Sequence, residues 1–154
     1  MTILIVDDEP FVLRYIGTIL QSDGYEVLLA DGGDEALAIC KSATCCFDLM
    51  ITDIAMPRMN GRELAECMNL RHPHAPIIFI SGYPKSVQIL AGLTGRGFTK
   101  GYMYIKKPFS AKELLAIVRA TLNPTFTLTA GPSGPDSLSA SERPLQPIRL
   151  AGAI

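Results

Sequence analysis

The sequence has no surplus of basic residues and no long apolar run. Its 154 residues include 14 Lys and Arg against 15 Asp and Glu, a formal net charge of −1. Without a basic surplus the chain has no electrostatic basis for holding a phosphate backbone, so nucleic-acid binding is not expected. No apolar run approaches the roughly 18 residues of a membrane span, and the start of the chain lacks the charged-then-apolar pattern of a signal peptide. We therefore expect a cytoplasmic protein with no membrane span.

Cysteine and histidine are also few, and their spacing does not indicate a metal site. The cysteines are Cys40, Cys45, Cys46 and Cys67. They form no C-x-x-C pair, and a cytosolic chain keeps its thiols reduced, so we interpret them as small apolar packing residues. His72 and His74 flank Pro73, which favours a solvated turn between a helix and a strand.

Strand and helix patterns alternate over the first 122 residues. The predicted strands contain Ile3–Val6, Glu26–Ala30, Leu49–Ile51, Ile77–Ile80 and Tyr102–Ile105. The predicted helices run from Pro10 to a stop at Gly24, from Asp34 to Lys41, from about Gly61 to Arg71, and from Ser110, which has capping-box spacing to Glu113. Such alternation predicts a parallel sheet with crossover helices, and a hydrophobic fraction of 48% suffices to bury both faces of it.

The last part of the sequence, residues 123–154, has a different composition. It is rich in Thr, Ala, Gly, Ser and Pro and shows no periodic apolar face. Such a segment cannot bury enough apolar surface to offset its ordering entropy, so we expect a disordered tail or linker unless Leu145, Ile148 and Leu150 dock on a neighbour. We divide the chain into a domain over residues 1–122 and a tail over 123–154.

Three acids follow two of the predicted strands. Asp7 and Asp8 close the first run, and Asp53 closes the third. The carboxyl ends of adjacent parallel strands lie together, where open α/β sheets bind ligands, so three negative charges should converge there. Such charges repel one another unless a cation relieves them, and oxygen-only ligands favour Mg²⁺. Asp7 or Asp8 alone would be explained equally well as a helix cap; their coincidence with Asp53 favours a site.

A hydroxyl and an ammonium follow two further strands. Ser81 comes directly after the fourth run, and Lys107 lies just past the fifth. Carboxylates, a metal, a hydroxyl and a lysine together suit the formation of an acyl phosphate on a carboxylate nucleophile. Ser81 alone would be read as an ordinary turn residue and Lys107 as an ordinary solvated cation; the ordered set is what favours chemistry.

Four stretches resemble the receiver domain of two-component response regulators. They are ILIVDDEP, DLMITDIAMPRMNG, IIFISGYP and YIKKPFS, in the family's order, and the resemblance covers roughly residues 2 to 122. It implies a chemotaxis-regulator-like, flavodoxin-like (βα)5 fold with five parallel strands in the order 2-1-3-4-5. The run ISGYP and the loop after it are similar to receivers attached to hybrid histidine kinases.

The resemblance also implies a metal site and a phosphoacceptor. Asp53 would accept the phosphoryl group and, with Asp8, ligate Mg²⁺ directly. Asp7 would act on the metal through water, and the backbone carbonyl of Ala55 would be a further ligand. The donor would be a phosphohistidine on a histidine kinase or a histidine phosphotransfer protein.

Other matched positions imply a switch. Ser81 would hydrogen-bond the phosphoryl group, and Lys107, the lysine directly before Pro108, would contact it, leaving Lys106 as a bystander. Tyr104 matches the aromatic residue whose rotamer follows the hydroxyl residue. The output would be a change in the face formed by the family's fourth helix, fifth strand and fifth helix, with an unknown partner.

Two features concern lifetime and partner choice. Ala55 and Tyr83 flank the path of the attacking water in the family, and neither carries a carboxylate or amide that could assist hydrolysis, which predicts slow autodephosphorylation. A Tyr83 ring over the site would also screen it from water, unless Tyr83 points to solvent. The 26 positions from Ser81 to Lys107 exceed the family pattern and include the glycine-rich segment 92–97, which predicts an early end to the fourth helix and a longer loop.

Two other functions fit part of the pattern. A haloacid-dehalogenase-like phosphatase also uses an Asp nucleophile and Mg²⁺, but that family needs a second Asp two positions later, where this chain has Ala55. A degenerate receiver acting only as a binding module is opposed by the complete set of acids, hydroxyl and lysine. A receiver would be an enzyme only in a weak sense, since its product stays on its own side chain until hydrolysis.

Overall fold

The computed structural model describes residues 1–41, 46–83 and 102–123. The elements in chain order are β1 (Thr2–Val6), α1 (Pro10–Ser22), β2 (Glu26–Ala30), α2 (Gly33–Lys41), β3 (Leu49–Asp53), α3 (Gly61–Arg71), β4 (Ile77–Ser81), β5 (Tyr102–Lys106) and a final helix (Ala111–Leu122). The predicted elements in these ranges are confirmed to within about two residues. Helix α2 begins one residue earlier than predicted, since the Ala36 N–H donates to the Gly32 carbonyl.

The five strands form one parallel sheet in the order β2-β1-β3-β4-β5. This confirms the predicted flavodoxin-like α/β architecture and strand order. One apolar cluster lies on each face: Leu4 and Phe79 pack with α2 and α3, whereas Ile51 and Ile78 pack with α1 and the final helix. Strands β3 and β4 are buried at every position because both faces are covered. Their carboxyl-terminal ends are therefore where polar side chains can reach solvent.

The helix ends follow local chemistry. Pro10 occupies the first turn of α1, where its missing N–H costs nothing. Asn60 and Ser110 each complete a capping box with a glutamate three residues later, so the capping box predicted at Ser110 is confirmed. Gly24, with φ of 89°, makes the left-handed turn that follows α1.

Several predictions fall outside the described residues. These are the early end of a fourth helix, the long loop around residues 92–97, the environment of Cys45 and the character of residues 124–154. Within the described part, Cys40 is buried, as predicted for a packing residue, whereas Cys46 is exposed. No helix in residues 1–41, 46–83 or 102–123 is long and apolar enough to cross a membrane.

Candidate functional site

Asp53 is the last residue of β3, the middle strand of the sheet. Only 6% of its surface is exposed, although it lines a cleft of about 550 Å³ at the carboxyl-terminal edge of the strands. The backbone N–H of Ala55 donates to its Oδ2 at 3.1 Å and thereby orients the carboxylate. Its Oδ1 lies 3.4 Å from Nζ of Lys107. The carboxylate is thus fixed on one side and faces a cation on the other.

Lys107 contacts three carboxylates at once. Its Nζ donates to Asp7 Oδ2 at 2.8 Å and to Glu9 Oε1 at 3.4 Å, and it lies at the same 3.4 Å from Asp53. Lys107 follows β5 and precedes a cis peptide bond to Pro108. Asp7 is 1% exposed and also accepts the Glu9 N–H at Oδ1. Lys106, by contrast, is exposed. The lysine chosen from the position of Pro108 is the one that reaches the carboxylates.

Burial and neighbouring opposite charges shift the pKa values of these groups in opposite directions. Loss of hydration raises the pKa of Asp53 above its ordinary value, and the attraction of Lys107 only partly offsets this. Burial likewise raises the pKa of Asp7 despite its hydrogen bond from Lys107. For Lys107, burial lowers the pKa, but the hydrogen bond to Asp7 and the charges of Asp53 and Glu9 outweigh it, so the pKa rises overall. Keeping Asp7 and Asp53 ionised in the folded protein therefore costs free energy.

The donor set suits a hard divalent cation, although it is not closed around one. Among the described residues no group of three His, Cys, Asp or Glu side chains is already gathered closely enough to hold a metal ion. Asp8 is exposed, lines the cleft and repels the charge on Asp53. Three carboxylates, those of Asp7, Glu9 and Asp53, contact the ammonium of Lys107, and a fourth, that of Asp8, lines the same cleft. This negative excess and the all-oxygen ligands fit Mg²⁺, which retains water molecules and needs few protein ligands.

Ser81 and Tyr104 belong to the neighbouring strands β4 and β5. Ser81 ends β4 and is fully buried, and its Oγ accepts the N–H of Tyr83 at 3.2 Å. The Tyr104 hydroxyl donates to the Ser81 carbonyl at 3.4 Å, and the Lys107 N–H donates to the same carbonyl at 2.9 Å. Ser81 is thus joined to both Tyr104 and Lys107. Tyr83 lines the cleft but is 70% exposed.

The loop after Asp53 is held tightly at its far end. Gly61 starts α3, and its N–H donates to the Ile54 carbonyl at 3.0 Å. A Cβ added at Gly61 would lie only 2.1 Å from the Asp53 carbonyl oxygen. Any side chain at position 61 would therefore push on the main chain of Asp53.

The middle of the same loop rests on α2. Arg58 has φ of 65°, a left-handed value that is uncommon for a residue with a side chain, and its guanidinium pairs with Asp34 at 3.2 Å. Met59 packs so closely on Gly33 that an added Cβ would meet it at 2.8 Å. The loop is thus supported along its length and not only at its ends.

A larger groove of about 810 Å³ lies at the opposite edge of the sheet. It is lined by residues that precede the strands, among them Phe47 and Pro76, and by the end of the final helix. His72 and His74 lie there, and His72 contacts the Phe47 ring with 4.7 Å between centroids. None of the predicted site residues lines this groove, so the chemistry belongs to the smaller cleft.

Comparison with known proteins identifies the family. Residues 3–119 match the family described as the response regulator receiver domain. The chain belongs to this family. Among solved structures, the receiver superposes on the receiver domain from the hybrid histidine kinase CckA with a TM-score of 0.65 at 32% identity, covering 79% of this chain and 99% of that one. The chemotaxis response regulator CheY4 of Vibrio cholerae gives 0.65 at 29% identity, covering 79% and 98%.

Curated relatives are longer than this chain. The receiver is 28% identical over 129 residues to the probable transcriptional regulatory protein TcrX of Mycobacterium tuberculosis, which is 84% of this chain and 53% of that protein. It is 34% identical over 121 residues to the sensor kinase CckA of Brucella abortus, covering 79% and 12%. The chain thus spans about half, or much less, of these relatives.

Sequence reasoning did not identify Glu9 or Gly61 as parts of the site. A signal was available for Glu9, because glutamate stands directly before Pro10, where a Ser, Thr, Asp or Asn would normally cap a helix. The sequence offered less for Gly61, since Asn60-Gly61 is also an ordinary turn pattern. Both were found only through their contacts with Lys107 and Asp53.

Proposed function

We propose that this receiver is a phosphoacceptor of a two-component phosphorelay, taking a phosphoryl group onto Asp53 from a phosphohistidine. The observation that carries the proposal is the position of Asp53, 6% exposed at the base of a cleft, with the Lys107 ammonium 3.4 Å from one of its oxygens. A histidine kinase or a histidine phosphotransfer protein would be the donor. Family membership over residues 3–119 supports the same conclusion.

In the proposed reaction an Asp53 oxygen attacks the phosphorus of the phosphohistidine. The P–O bond forms as the P–N bond breaks, and the imidazole leaves with the electron pair of that bond and takes up a proton. The raised pKa of Asp53 supports this role, because a more basic carboxylate is a better nucleophile while it remains ionised. The Ala55 N–H holds the carboxylate in one orientation before the donor arrives.

Mg²⁺, when bound, offsets the negative charge on the transferring phosphoryl oxygens. Asp8, Asp53 and the backbone carbonyl of Ala55 would hold it, and Asp7 would act through water. Lys107 keeps Asp7 paired, so that the buried carboxylate is not left as an uncompensated charge.

Phosphorylation would act on Ser81, Lys107 and Tyr104 together. The new group adds about −1.5 to −2 charge, and its oxygens attract the Ser81 hydroxyl and the Lys107 ammonium. Ser81 Oγ now accepts the Tyr83 N–H, so a turn of the hydroxyl toward the phosphoryl group would release that contact. The Ser81 carbonyl accepts both the Tyr104 hydroxyl and the Lys107 N–H, which links Tyr104 to the lysine that the phosphoryl group attracts. Tyr104 would then turn inward and shift the population of the face that β5 and the final helix share with the family's fourth helix, where an unknown output partner would bind.

The proposal includes the domain boundaries, the place of the exchange in the cell and the lifetime of the acyl phosphate. We assign the receiver to residues 1–122 and a tail or linker to 123–154, and we place the exchange in the cytosol. We expect the acyl phosphate to decay slowly, since Ala55 cannot orient a water molecule. The high exposure of Tyr83 favours the interpretation that its ring screens the site little. The domain would thus be a switch with weak autophosphatase activity.

A phosphodonor experiment tests the proposal. The protein is incubated with Mg²⁺ and acetyl phosphate, and its intact mass is measured with and without a chelator. We expect one phosphoryl adduct on Asp53 and none on Asp53→Asn. Release of phosphate over many turnovers would favour an Asp phosphatase, and absence of any adduct would favour a binding module. Labelling of Asp53→Asn at another residue would contradict the site assignment.

A further inference from the structure

Glu9 occupies the N-cap position of α1 without capping the helix. Its side chain makes no hydrogen bond to the first-turn N–H groups, whereas Asn60 and Ser110 cap their helices through complete capping boxes. Glutamate is outside the group of residues preferred at this position. The side chain at the start of α1 is instead directed to Lys107, which is 98 positions away in the sequence.

Glu9, Asp7 and Lys107 form a closed ring of hydrogen bonds. The Glu9 N–H donates to Asp7 Oδ1 at 2.9 Å, Lys107 Nζ donates to Asp7 Oδ2 at 2.8 Å, and the same Nζ donates to Glu9 Oε1 at 3.4 Å. The ring fixes the position of the ammonium relative to the first turn of α1. It also accounts for why the Glu9 side chain is not available as a cap.

The three partners of Lys107 differ in how readily each can be released. An ammonium has three N–H donors, and here three carboxylates share them. Asp7 is buried, so leaving it unpaired would be costly. The side chain of Glu9 is 65% exposed, its contact is 0.6 Å longer than that of Asp7, and water can replace it. A phosphoryl group on Asp53 brings three acceptor oxygens that compete for the same ammonium.

We propose that Glu9 is a positioning residue that holds the Lys107 ammonium in the unphosphorylated receiver and gives it up to the phosphoryl group. This inference rests on the proposed function. Because the Glu9 contact stabilises only the unphosphorylated state, removing it shifts the equilibrium toward the phosphorylated one. Exposed ion pairs of this kind correspond to changes of up to about fivefold in an equilibrium constant.

The test measures the affinity of the full chain for beryllium fluoride, an inert phosphoryl mimic, at saturating Mg²⁺ by ¹⁹F NMR. Glu9→Gln removes the charge and weakens the contact, and Glu9→Asp keeps the charge but is one methylene too short to reach Lys107. Glu35→Gln is the matched control, because Glu35 lies in the first turn of α2 and its side-chain oxygen accepts the Asp31 N–H. The side-chain oxygen of glutamine can accept the same N–H. We expect both Glu9 variants to bind about twofold to fivefold more tightly than wild type, and the control to be unchanged.

Four outcomes would overturn the inference: unchanged affinity in both Glu9 variants, weaker binding in either, an effect in Glu9→Gln alone, or the same effect in Glu35→Gln. The third would mean that charge near the cleft matters and the contact does not. A parallel Mg²⁺ titration shows whether a changed affinity for Mg²⁺ causes the tighter binding of beryllium fluoride. Thermal melts show that the variants remain folded.

A second readout does not depend on phosphorylation. The ¹⁵Nζ and ¹³Cε signals of Lys107 in the metal-free protein report on the contact itself, and they should shift in both Glu9 variants and stay in place in Glu35→Gln. If the wild type neither binds beryllium fluoride nor is labelled on Asp53, the proposed function fails and the release step fails with it. Unshifted Lys107 signals in the Glu9 variants would instead overturn the holding contact while leaving the proposed function intact.

Discussion

Replacing Asp53 by asparagine should make the metal-free receiver more stable at neutral pH, even though it removes the proposed nucleophile. Asparagine has nearly the same shape, and its side-chain oxygen can still accept the Ala55 N–H that Asp53 Oδ2 accepts now. What is lost is a buried negative charge. Since burial removes hydration and the charges of Asp8 and Asp7 add repulsion, this charge is costly in the absence of a metal.

Two opposing effects determine the change in stability that Asp53→Asn causes. Attraction between Asp53 and Lys107 across 3.4 Å amounts to about 5 kcal/mol at an effective dielectric constant of about 20. Loss of hydration costs several kcal/mol per buried ion, and the neighbouring acids add to this. The pKa of Asp53 is raised, which means that burial outweighs the attraction. Asp53→Asn is therefore expected to raise the free energy of unfolding at neutral pH, by an amount of the size common for single substitutions, about 1 kcal/mol.

The pH dependence provides the check. A raised carboxyl pKa gives a contribution to stability that is fully present below the ordinary value of 3.8 and is lost as the pH rises through the folded-state pKa. The advantage of Asp53→Asn should therefore shrink as the pH falls from neutral toward 3.8. Urea denaturation with a chelator present, at a series of pH values, measures this directly.

A matched control and a contrary result complete this test. Asp48→Asn removes an exposed carboxylate that accepts the Thr2 N–H near the start of β3, and it should change stability by less than about 0.5 kcal/mol. A variant Asp53→Asn that is less stable than wild type at neutral pH would show that the attraction of Lys107 outweighs burial, contrary to this prediction.

Three further predictions concern the metal, the switch and the lifetime. Asp8→Asn should weaken Mg²⁺ binding by about tenfold or more and slow labelling, as calorimetry would show; unchanged affinity would exclude Asp8 as a ligand. Lys107→Ala should allow partial phosphorylation but suppress the shifts it induces in amide spectra, whereas Lys106→Ala should do little, and equal defects would mean that the wrong lysine was assigned. Ala55→Asn should shorten the half-life of the acyl phosphate, with a smaller effect from Tyr83→Glu because that side chain is exposed; unchanged decay in the double variant would contradict this.

Most of the sheet could be predicted from sequence because its signals are local. Apolar runs such as Ile77–Ile80 specify buried parallel strands, and Ser110 and Glu113 specify a helix start within four residues. The family's motifs then brought Asp53 and Lys107 into one cleft, and the structure places them 3.4 Å apart. These features depend on residue type and spacing alone.

The unpredicted features depend on side-chain paths across the fold. Glu9 meets Lys107 only because the ends of β1 and β5 open onto the same edge of the sheet and the glutamate turns away from its helix. The exposed position of Asp8 beside the buried Asp7 also could not be read from two adjacent aspartates, because it depends on which face of the strand end each side chain occupies.

The close contact at Gly61 sets a limit on how such a domain can be redesigned. Because this residue returns the chain to the Asp53 carbonyl and its N–H closes on Ile54, the number of residues between the acceptor and α3 cannot change without displacing one of them. Insertions and deletions there should be rejected in a library selected for signalling, while exposed positions such as Ala55 and Pro57 accept exchange. An engineer who alters the kinetics of this domain can therefore vary the exposed positions of the loop, but not its length.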